Sequence, residues 1–155
     1  MAISVSRNRH QVVLVFLLAT ALFATGIVTD PTRAGATEPA RGEMFRLTND
    51  DREARDRRAL DLDAELSRYA TRHSRAMAER GEIFHTSNLA AKLDGFNWTI
   101  GGENVGVGGD LESLESAFMA SAPHRENILR RGFRDAAIGV VESDGNFWVT
   151  VIFYG

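Results

Sequence analysis

The sequence predicts an α+β fold, a three-layer αβα sandwich in which helices cover both faces of a small antiparallel sheet. Amphipathic helical segments occupy most of the chain, and a β-hairpin ends it. The last run of that hairpin, FWVTVIFY (147–154), is apolar on nearly every residue, so both sides of the strand must be covered. The 155 residues, 44% of them hydrophobic and 25% charged, suit one domain with a packed core.

The N-terminal segment is predicted to be an export signal. A basic start precedes an apolar run from Val12 to Val28, and small residues follow up to Ala36. This order is typical of a signal peptide that is cleaved, so residues 1–36 are predicted to be removed and the domain to be secreted or kept in the cell envelope. The alternative is an uncleaved anchor that touches the membrane only through residues 12–28, because about 17 apolar residues are near the lower limit for a span.

The domain itself is predicted to cover residues 43–155. Residues 37–42 (TEPARG) are expected to be a flexible lead-in, because Pro39 and Gly42 disfavour a regular element. The chain has no cysteine, so the domain is expected to be stable through packing alone, without disulfides.

The first helix is predicted from Glu43 to Arg57, with Met44 and Leu47 facing inward. The run DDREARDRR (50–58) is expected to face water, supported by two ion pairs at the i, i+4 spacing, Asp51 with Arg55 and Glu53 with Arg57.

The second helix is the clearest element of the sequence. Apolar positions recur every three or four residues, and Gly81 follows as a stop. The stripe consists of Leu62, Leu66, Tyr69, Ala70, His73, Ala76 and Met77. We expect His73 to be a histidine at the edge of the core with one hydrogen bond rather than a ligand.

The remaining elements follow from caps and turn residues. Residues 86–98 are predicted to be a loop with a short helical turn at 89–93. A third helix should begin after Asp110, and a fourth after Ser121, whose hydroxyl is expected to accept from the backbone N–H of His124. The two hairpin strands, Ala136 to Glu142 and Phe147 to Tyr154, flank an Asp-Gly turn.

The stretch GGENVGVGG (101–109) lacks the features of a phosphate-binding loop. No Lys-Ser/Thr pair follows its glycines, and no βαβ unit surrounds it. The glycines are therefore expected to let a loop turn tightly and pass close to neighbouring groups, leaving Glu103 aimed at a positive or polar group.

Charge and spacing limit the chemistry. Residues 37–155 contain 15 basic and 20 acidic residues, which disfavours nucleic acid as a partner. His85, Glu103 and His124 stand beside predicted turns or helix ends, and their separations exclude a metal motif on a single helix. Any meeting of these three side chains must come from the fold.

The sequence resembles the CAP superfamily, named for cysteine-rich secretory proteins, antigen 5 and pathogenesis-related proteins, and in particular its short bacterial members. The matching blocks run from residue 44 to residue 154, in the family's order. They are LTNDDR (47–52), LDAELSRYATRHSRAMAERGEIFH (62–85), GGENV (101–105), FMASAPHRENIL (118–129) and IGVVESDGNFWVTVIF (138–153).

The resemblance implies a cleft lined by two histidines and acidic residues. The family's histidines fall on His85 and His124 and the glutamate of its G-E-N block on Glu103, while Asn104 is expected to tie down the loop with its amide. Many members have a second glutamate where this chain has Ser121. The missing carboxylate implies weaker metal binding and gives less reason to expect hydrolysis.

Two interpretations of the cleft remain open at this stage. His85, His124 and Glu103 would together offer three ligands to zinc or another divalent cation, with an open position for water. Alternatively, both imidazoles simply hydrogen-bond Glu103. A catalytic triad of Ser121, His124 and Glu103 is less expected, because a capping Ser121 would have its hydroxyl occupied by the backbone.

The sequence as a whole favours an exported ligand-binding module. The resemblance implies an extracellular ligand that is a lipid, a carbohydrate or a protein, without choosing among them. The alternative is a zinc-assisted, peptidase-like hydrolase that uses the same cleft, with Glu103 as metal ligand or general base.

Overall fold

A five-stranded sheet lies between two layers of helices, as the sequence predicts. The computed structural model describes residues 35–36 and 38–155. The strands, in the order β1–β4–β5–β3 with β2 beside β4, are β1 (Gly35–Ala36), β2 (Asp61–Leu62), β3 (Gly101–Gly108), β4 (Asp135–Ser143) and β5 (Asn146–Tyr154). All pairs are antiparallel except β2 with β4, which is parallel, so the sheet is mixed rather than wholly antiparallel as predicted.

The predicted signal peptide lies outside the described residues except for its last two, Gly35 and Ala36. These two residues pair with β4 at Glu142 and Val141. The predicted cut after Ala36 would therefore remove strand β1. No helix in the described part of the chain is both long enough and apolar enough to cross a bilayer.

Five helices form the outer layers: α1 (Glu38–Glu53), α2 (Ala64–Arg80), α3 (Leu89–Lys92), α4 (Leu111–Ala120) and α5 (Ala122–Leu129). Helix α2 packs on β4 and β5, while α1, α4 and α5 pack on one another and on β4 or β3. Successive residues of β4 face opposite layers. Ile138 belongs to the apolar cluster that includes α1 and α4, whereas Ala137 belongs to the cluster under α2.

Helix α1 begins five residues before the predicted start, so the expectation of a flexible lead-in is wrong for residues 38–42. Pro39 lies in the first helical turn, where a residue without an N–H leaves no intrahelical hydrogen bond unmade. Gly42 is accommodated because Ala40 and Met44, on either side of it, are buried against the core. Tertiary packing therefore outweighs the two local helix breakers.

The charged run at the end of α1 is not wholly surface, because Arg52 is only 1% exposed. Its guanidinium donates to backbone carbonyl oxygens at the end of α5 and beyond it, including Ile128 (2.6 Å) and Phe133 (3.4 Å). Burial lowers the pKa of Arg52, with smaller contributions from nearby arginines. Arg52 thus fixes α5, the helix that carries His124, against α1.

One of the two ion pairs predicted in that run is present. Asp51 and Arg55 lie 2.5 Å apart. Helix α1 ends at Glu53, so Arg57 lies beyond it, and its Nε donates to the carbonyl oxygen of Leu129 at 2.9 Å. The predicted partnership of Glu53 with Arg57 is therefore wrong.

The contact between α1 and α4 encloses a carboxyl group. Glu115 is 2% exposed, and neither of its oxygens has a hydrogen-bond partner among the described residues. Burial, with a smaller effect from Asp51, raises the pKa of Glu115 to about 8. The hydroxyl of Thr48 offsets this shift only in part, because it forms no hydrogen bond of normal geometry with the carboxyl. Glu115 is therefore protonated in the folded protein at neutral pH.

Helix α2 lies in direct backbone contact with the sheet. A Cβ placed on Gly139 of β4 would lie 2.1 Å from the carbonyl carbon of Ala70, so only glycine fits there. The helix starts at an Asp63 cap and ends, as predicted, at Gly81 with a φ of 63°. Leu62, predicted to lie on its apolar stripe, is instead an exposed residue of β2.

Strand β3 replaces the loop predicted for the glycine-rich stretch. It pairs antiparallel with β5 along its whole length, with Glu103 opposite Ile152. None of its glycines has a positive φ, so the tight-turn explanation is wrong. Close approach is the reason for glycine, because a Cβ on Gly106 would lie 2.8 Å from the Phe118 ring. The missing side chains let α4 pack onto the strand.

Candidate functional site

The candidate site straddles the sheet edge formed by β3. Side chains alternate along a strand, so neighbours point to opposite layers. Glu103 contacts the segment that follows α2, through His85 and Thr86. Asn104 contacts α5, through His124. Two consecutive residues of one strand therefore bring the two helical layers together at this point.

The Glu103 carboxylate is almost fully enclosed, with 8% exposure of the residue, and hydrogen bonds occupy both oxygens. Oε2 lies 2.7 Å from Nδ1 of His85 and accepts from the backbone N–H of Thr86 at 2.9 Å. Oε1 accepts from the Thr86 hydroxyl at 2.5 Å. Hydrogen bonds to an ionised carboxylate are short and strong. Glu103 is therefore held firmly as an acceptor.

His85 is the exposed member of the pair. Its side chain is 61% exposed. With Nδ1 directed at the carboxylate, the other ring nitrogen, Nε2, is left for a partner outside the protein. The described geometry thus orients the imidazole without using its outer nitrogen.

Thr86 was not identified from the sequence, yet it makes two of the contacts to Glu103. Its hydroxyl has one proton, which goes to Glu103, so the Tyr69 hydroxyl at 3.1 Å must be the donor to Thr86. The only sequence signal for Thr86 is its position directly after His85. Tyr69, Thr86 and Glu103 form a hydrogen-bonded chain from α2 to the strand.

His124 faces Ser121 rather than Glu103. Its Nδ1 lies 2.8 Å from the Ser121 hydroxyl. Ser121 does occupy the cap position of α5, but its side chain makes no capping hydrogen bond, so the predicted bond to the His124 backbone N–H is wrong. The ring packs against Phe118 at 5.0 Å. Burial and, less strongly, the nearby His85 lower the pKa of His124.

Two amide side chains attach α5 to the strand edge. Asn104 donates to the carbonyl oxygen of His124 at 3.1 Å, so its amide fixes a helix rather than a loop. Asn127 donates to Oδ1 of Asn104 at 2.9 Å and to the carbonyl oxygen of Glu103 at 3.2 Å. Asn127 was not identified from the sequence, although it lies three residues after His124, on the same helix face.

The structure brings His85 to Glu103 but leaves His124 bonded elsewhere. The expectation that both imidazoles hydrogen-bond Glu103 therefore holds for His85 alone. The three triad residues do not form a chain either, because Ser121 contacts His124 while Glu103 contacts His85. The Ser121 hydroxyl caps no backbone N–H, so the expectation that the backbone occupies it is also wrong.

The predicted three-ligand metal set does not fit this geometry. Within residues 35–36 and 38–155, no three histidine, aspartate or glutamate side chains converge to hold a cation. Both oxygens of Glu103 are engaged by His85 and Thr86. Two outer imidazole nitrogens remain, fewer than the three protein ligands of a catalytic zinc site.

His73 is buried, as expected, and Nδ1 makes its one hydrogen bond, to the Thr150 hydroxyl at 3.1 Å. Ser74 lies in the same network, 2.9 Å from that hydroxyl. The Nε2 atom of His73 is buried and has no partner in the described part of the chain. Burial lowers the pKa of His73, whereas Glu103 opposes the shift. His73 thus has one buried polar atom that is unsatisfied among the described residues.

Comparison with known proteins places this geometry in a family. The family model described as "CAP: Cysteine-rich secretory protein family" matches residues 45–153. An uncharacterized protein of Bacillus subtilis, YkwD, is 31% identical over 113 residues. That match covers 68% of this chain but 44% of YkwD, so the chain spans less than half of the relative's length.

Solved structures share the fold at lower identity. An extracellular protein containing a SCP domain from Bacillus anthracis aligns with a TM-score of 0.63 and 24% identity, over 75% of this chain and 40% of that one. An outer surface protein of Borrelia burgdorferi aligns with a TM-score of 0.69 and 16% identity, over 80% and 97%. NaASP2 with Zn²⁺ aligns with a TM-score of 0.54 and 14% identity, over 78% and 81%.

Proposed function

This chain belongs to the cysteine-rich secretory protein (CAP) family, and we propose that it acts outside the cytoplasm as a ligand-binding module. The binding site, here called the cleft, is the sheet edge at His85, Glu103 and His124, where the two helical layers meet. A fold shared by proteins of different function does not specify a reaction, so the proposal depends on the site.

The observation that carries the proposal is the occupation of Glu103. A general base must reach the proton that it removes, whereas three of the roughly four acceptor positions of this enclosed carboxylate are already filled. Here one oxygen accepts from the Thr86 hydroxyl, and the other from the Thr86 backbone N–H and the His85 ring. Such a carboxylate orients His85, and the exposed imidazole is then ready to donate to or accept from a ligand.

The alternative, a zinc-assisted hydrolase, has less support. It would need Glu103 as metal ligand or base, although hydrogen bonds from His85 and Thr86 already engage both of its oxygens. One fold neighbour was crystallised with Zn²⁺, and the oriented ring of His85 is of the kind that metal sites use. The hydrolase therefore enters the test as the competing outcome.

The proposed location rests on the signal-like N-terminus and on the neighbours. The Bacillus anthracis protein is described as extracellular and the Borrelia burgdorferi protein as an outer surface protein. Domains at the cell surface meet lipids, carbohydrates and other proteins, the three ligand classes that we propose for this cleft.

Binding can be tested by recording ¹H–¹⁵N spectra of the purified protein while lipids, oligosaccharides and peptides are added. We expect shift changes around the cleft, weaker binding in a His85→Ala plus His124→Ala variant, and no change for Asn97→Ala, an exposed residue outside it. Absence of any cleft response across the panel would contradict the binding role.

The hydrolase is tested with zinc calorimetry and with peptide and ester substrates on the same proteins. We expect no turnover that depends on the two histidines. Zinc binding together with hydrolysis that the double variant loses would replace the binding module by the enzyme.

A further inference from the structure

We propose that a cationic groove beside the cleft binds the phosphate group of the ligand. This proposal rests on the proposed binding role and specifies the chemistry of what is bound. The groove consists of two adjoining hollows of about 260 and 350 Å³, which share Tyr69 and Lys92. It lies between α2 and the segment 84–96, and it reaches His85.

The groove concentrates positive charge on a domain of negative net charge. Arg72, Arg80 and Lys92 line it, and none of them has a carboxylate partner among the described residues. Glu65 is the acidic residue in its wall, and it lies beyond ion-pair distance of these cations. Uncompensated cations in a concave surface focus potential and attract anions.

Two of these cations converge on one aromatic ring. The Nζ atom of Lys92 lies 5.1 Å and the Cζ atom of Arg72 lies 5.9 Å from the centre of the Tyr69 ring. The ring attracts both charges, which repel each other. The positive potential of two charges held at one ring favours an anion nearby. Arg80 is held in a similar way, 4.6 Å from the Phe84 ring at the other end of the groove.

The wall of the groove also contains an unsatisfied polar atom. His73 is 7% exposed and lines the larger hollow, with Nδ1 bonded to Thr150 of the sheet. Its Nε2 has no hydrogen-bond partner in the described residues. Buried polar atoms without partners are uncommon and call for one. Because this atom is enclosed by protein, the groove's ligand does not contact it directly, but the His73 residue lines the larger hollow and reports on what binds there.

The groove is joined to the cleft by hydrogen bonds. The Tyr69 hydroxyl donates to Thr86, which in turn donates to Glu103. A ligand on the Tyr69 ring therefore lies two hydrogen bonds from the carboxylate that orients His85. Contacts in the groove and contacts at His85 belong to one binding surface.

Phosphate suits this arrangement better than carboxylate. It offers several oxygens around one centre, so one phosphate can bond to more than one cation. The smaller hollow adds apolar surface from Leu66, Ala91 and Phe96. That surface suits a carbon chain esterified to the phosphate.

The test uses the full chain and three probes: inorganic phosphate, dihexanoyl phosphatidylglycerol below its micellar concentration, and hexanoate. An Arg72→Gln plus Lys92→Gln variant removes two groove charges. An Arg68→Gln plus Arg131→Gln variant removes the same charge from exposed residues outside the groove. Binding is followed by ¹H–¹⁵N spectra, including the side-chain nitrogens of His73.

We expect one or both phosphate probes to bind the native protein. Their affinity should be at least tenfold lower for the Arg72→Gln plus Lys92→Gln variant. For the Arg68→Gln plus Arg131→Gln variant, the affinity should stay within twofold of the native value. The His73 Nε2 signal should move with the phosphate probe. Saturation by inorganic phosphate would identify a free-phosphate site, and a response to phosphatidylglycerol alone would identify a lipid headgroup site.

Equal affinity of the groove variant for the phosphate probes, or hexanoate binding as tightly as phosphate, would overturn the proposal. If a ligand binds through His85 while the groove variant behaves as the native protein, the groove assignment fails and the binding role stands. If nothing in either panel binds, both fail.

Discussion

Replacing Thr86 by valine tests whether Glu103 is held as the structure indicates. Valine keeps the shape of threonine and removes the hydroxyl that donates to Oε1 at 2.5 Å. Oε1 would then have no partner among the described residues, in a side chain that is 5% exposed. A hydrogen bond to a charged group contributes about 1.5–3 kcal/mol, and a buried acceptor left unsatisfied costs a similar amount.

We therefore expect Thr86→Val to lower the free energy of unfolding by about 2–3 kcal/mol, measured by urea unfolding followed by tryptophan fluorescence at pH 7. Thr86→Ser is the matched control, since it keeps the hydroxyl and should lose less than about 1 kcal/mol. A valine variant within about 0.5 kcal/mol of the native protein would show that the carboxylate does not depend on this donor. Glu103 would then be available as a base, and the preference for a binding module would be lost.

Three further predictions concern Glu115, Gly139 and His124, each of which lies in an environment unusual for its residue type. Burial raises the pKa of Glu115 from 4.5 to about 8. The stabilisation that this group contributes is therefore complete below pH 4.5 and is lost as the pH rises to about 8. Over that range the free energy of unfolding should fall by no more than about 1.4 kcal/mol per pH unit. Urea unfolding between pH 5 and 8 should show that decline in the native protein and in Glu112→Gln but not in Glu115→Gln; parallel curves would contradict the assignment. Gly139→Ala should lower the free energy of unfolding by about 3 kcal/mol or more, because the added Cβ would clash with the backbone of α2 at Ala70. A calorimetric unfolding midpoint equal to that of the native protein would refute this. Histidine ¹H NMR should show His124 titrating below an ordinary imidazole, and His85→Gln should raise that pKa by removing a neighbouring positive charge; a lower value in the variant would contradict the direction.

Apolar periodicity and turn chemistry predicted most of the fold. The hairpin, the end of α2 at Gly81, the Asp110 cap and the three layers are all present. The glycine-rich strand was missed because glycine disfavours strands locally. What favours it, the packing of Phe118 and Leu114 against a strand without side chains, is a contact between distant parts of the chain.

The two incorrect predictions for α1, its start at Glu43 and the full exposure of its charged run, have a related cause. Pro39 and Gly42 are helix breakers by propensity, and a run of charges is usually solvated. The structure buries residues 40, 44, 48 and 52, a strict four-residue repeat. That repeat was present in the sequence and would have identified Arg52 as inward-facing. Its last two members, Thr48 and Arg52, are polar, so an apolar pattern alone does not reveal it.

The residues of the site were predictable from the sequence, but the hydrogen bonds among them were not. His85, Glu103 and His124 were indicated by their positions beside turns and helix ends and by a family resemblance, and neither says which atom bonds to which. Thr86 and Asn127 make the decisive hydrogen bonds through short polar side chains, and no local pattern distinguishes such residues from ordinary surface ones. Their roles depend on the tertiary structure, because β3 lies between the two helical layers and meets a residue from each.

The alternation of Glu103 and Asn104 along β3 makes the site depend on strand alignment. A slip of one residue relative to β5 would turn the acid toward α5 and the amide toward His85, exchanging their partners. The glycines at 102 and 106 oppose such a slip, because it would force Glu103 or Val105 into space that Asn127 and Phe118 already fill. Correct folding of this edge and correct assembly of the cleft are consequently a single event, and a misaligned population would keep its secondary structure while losing its chemistry.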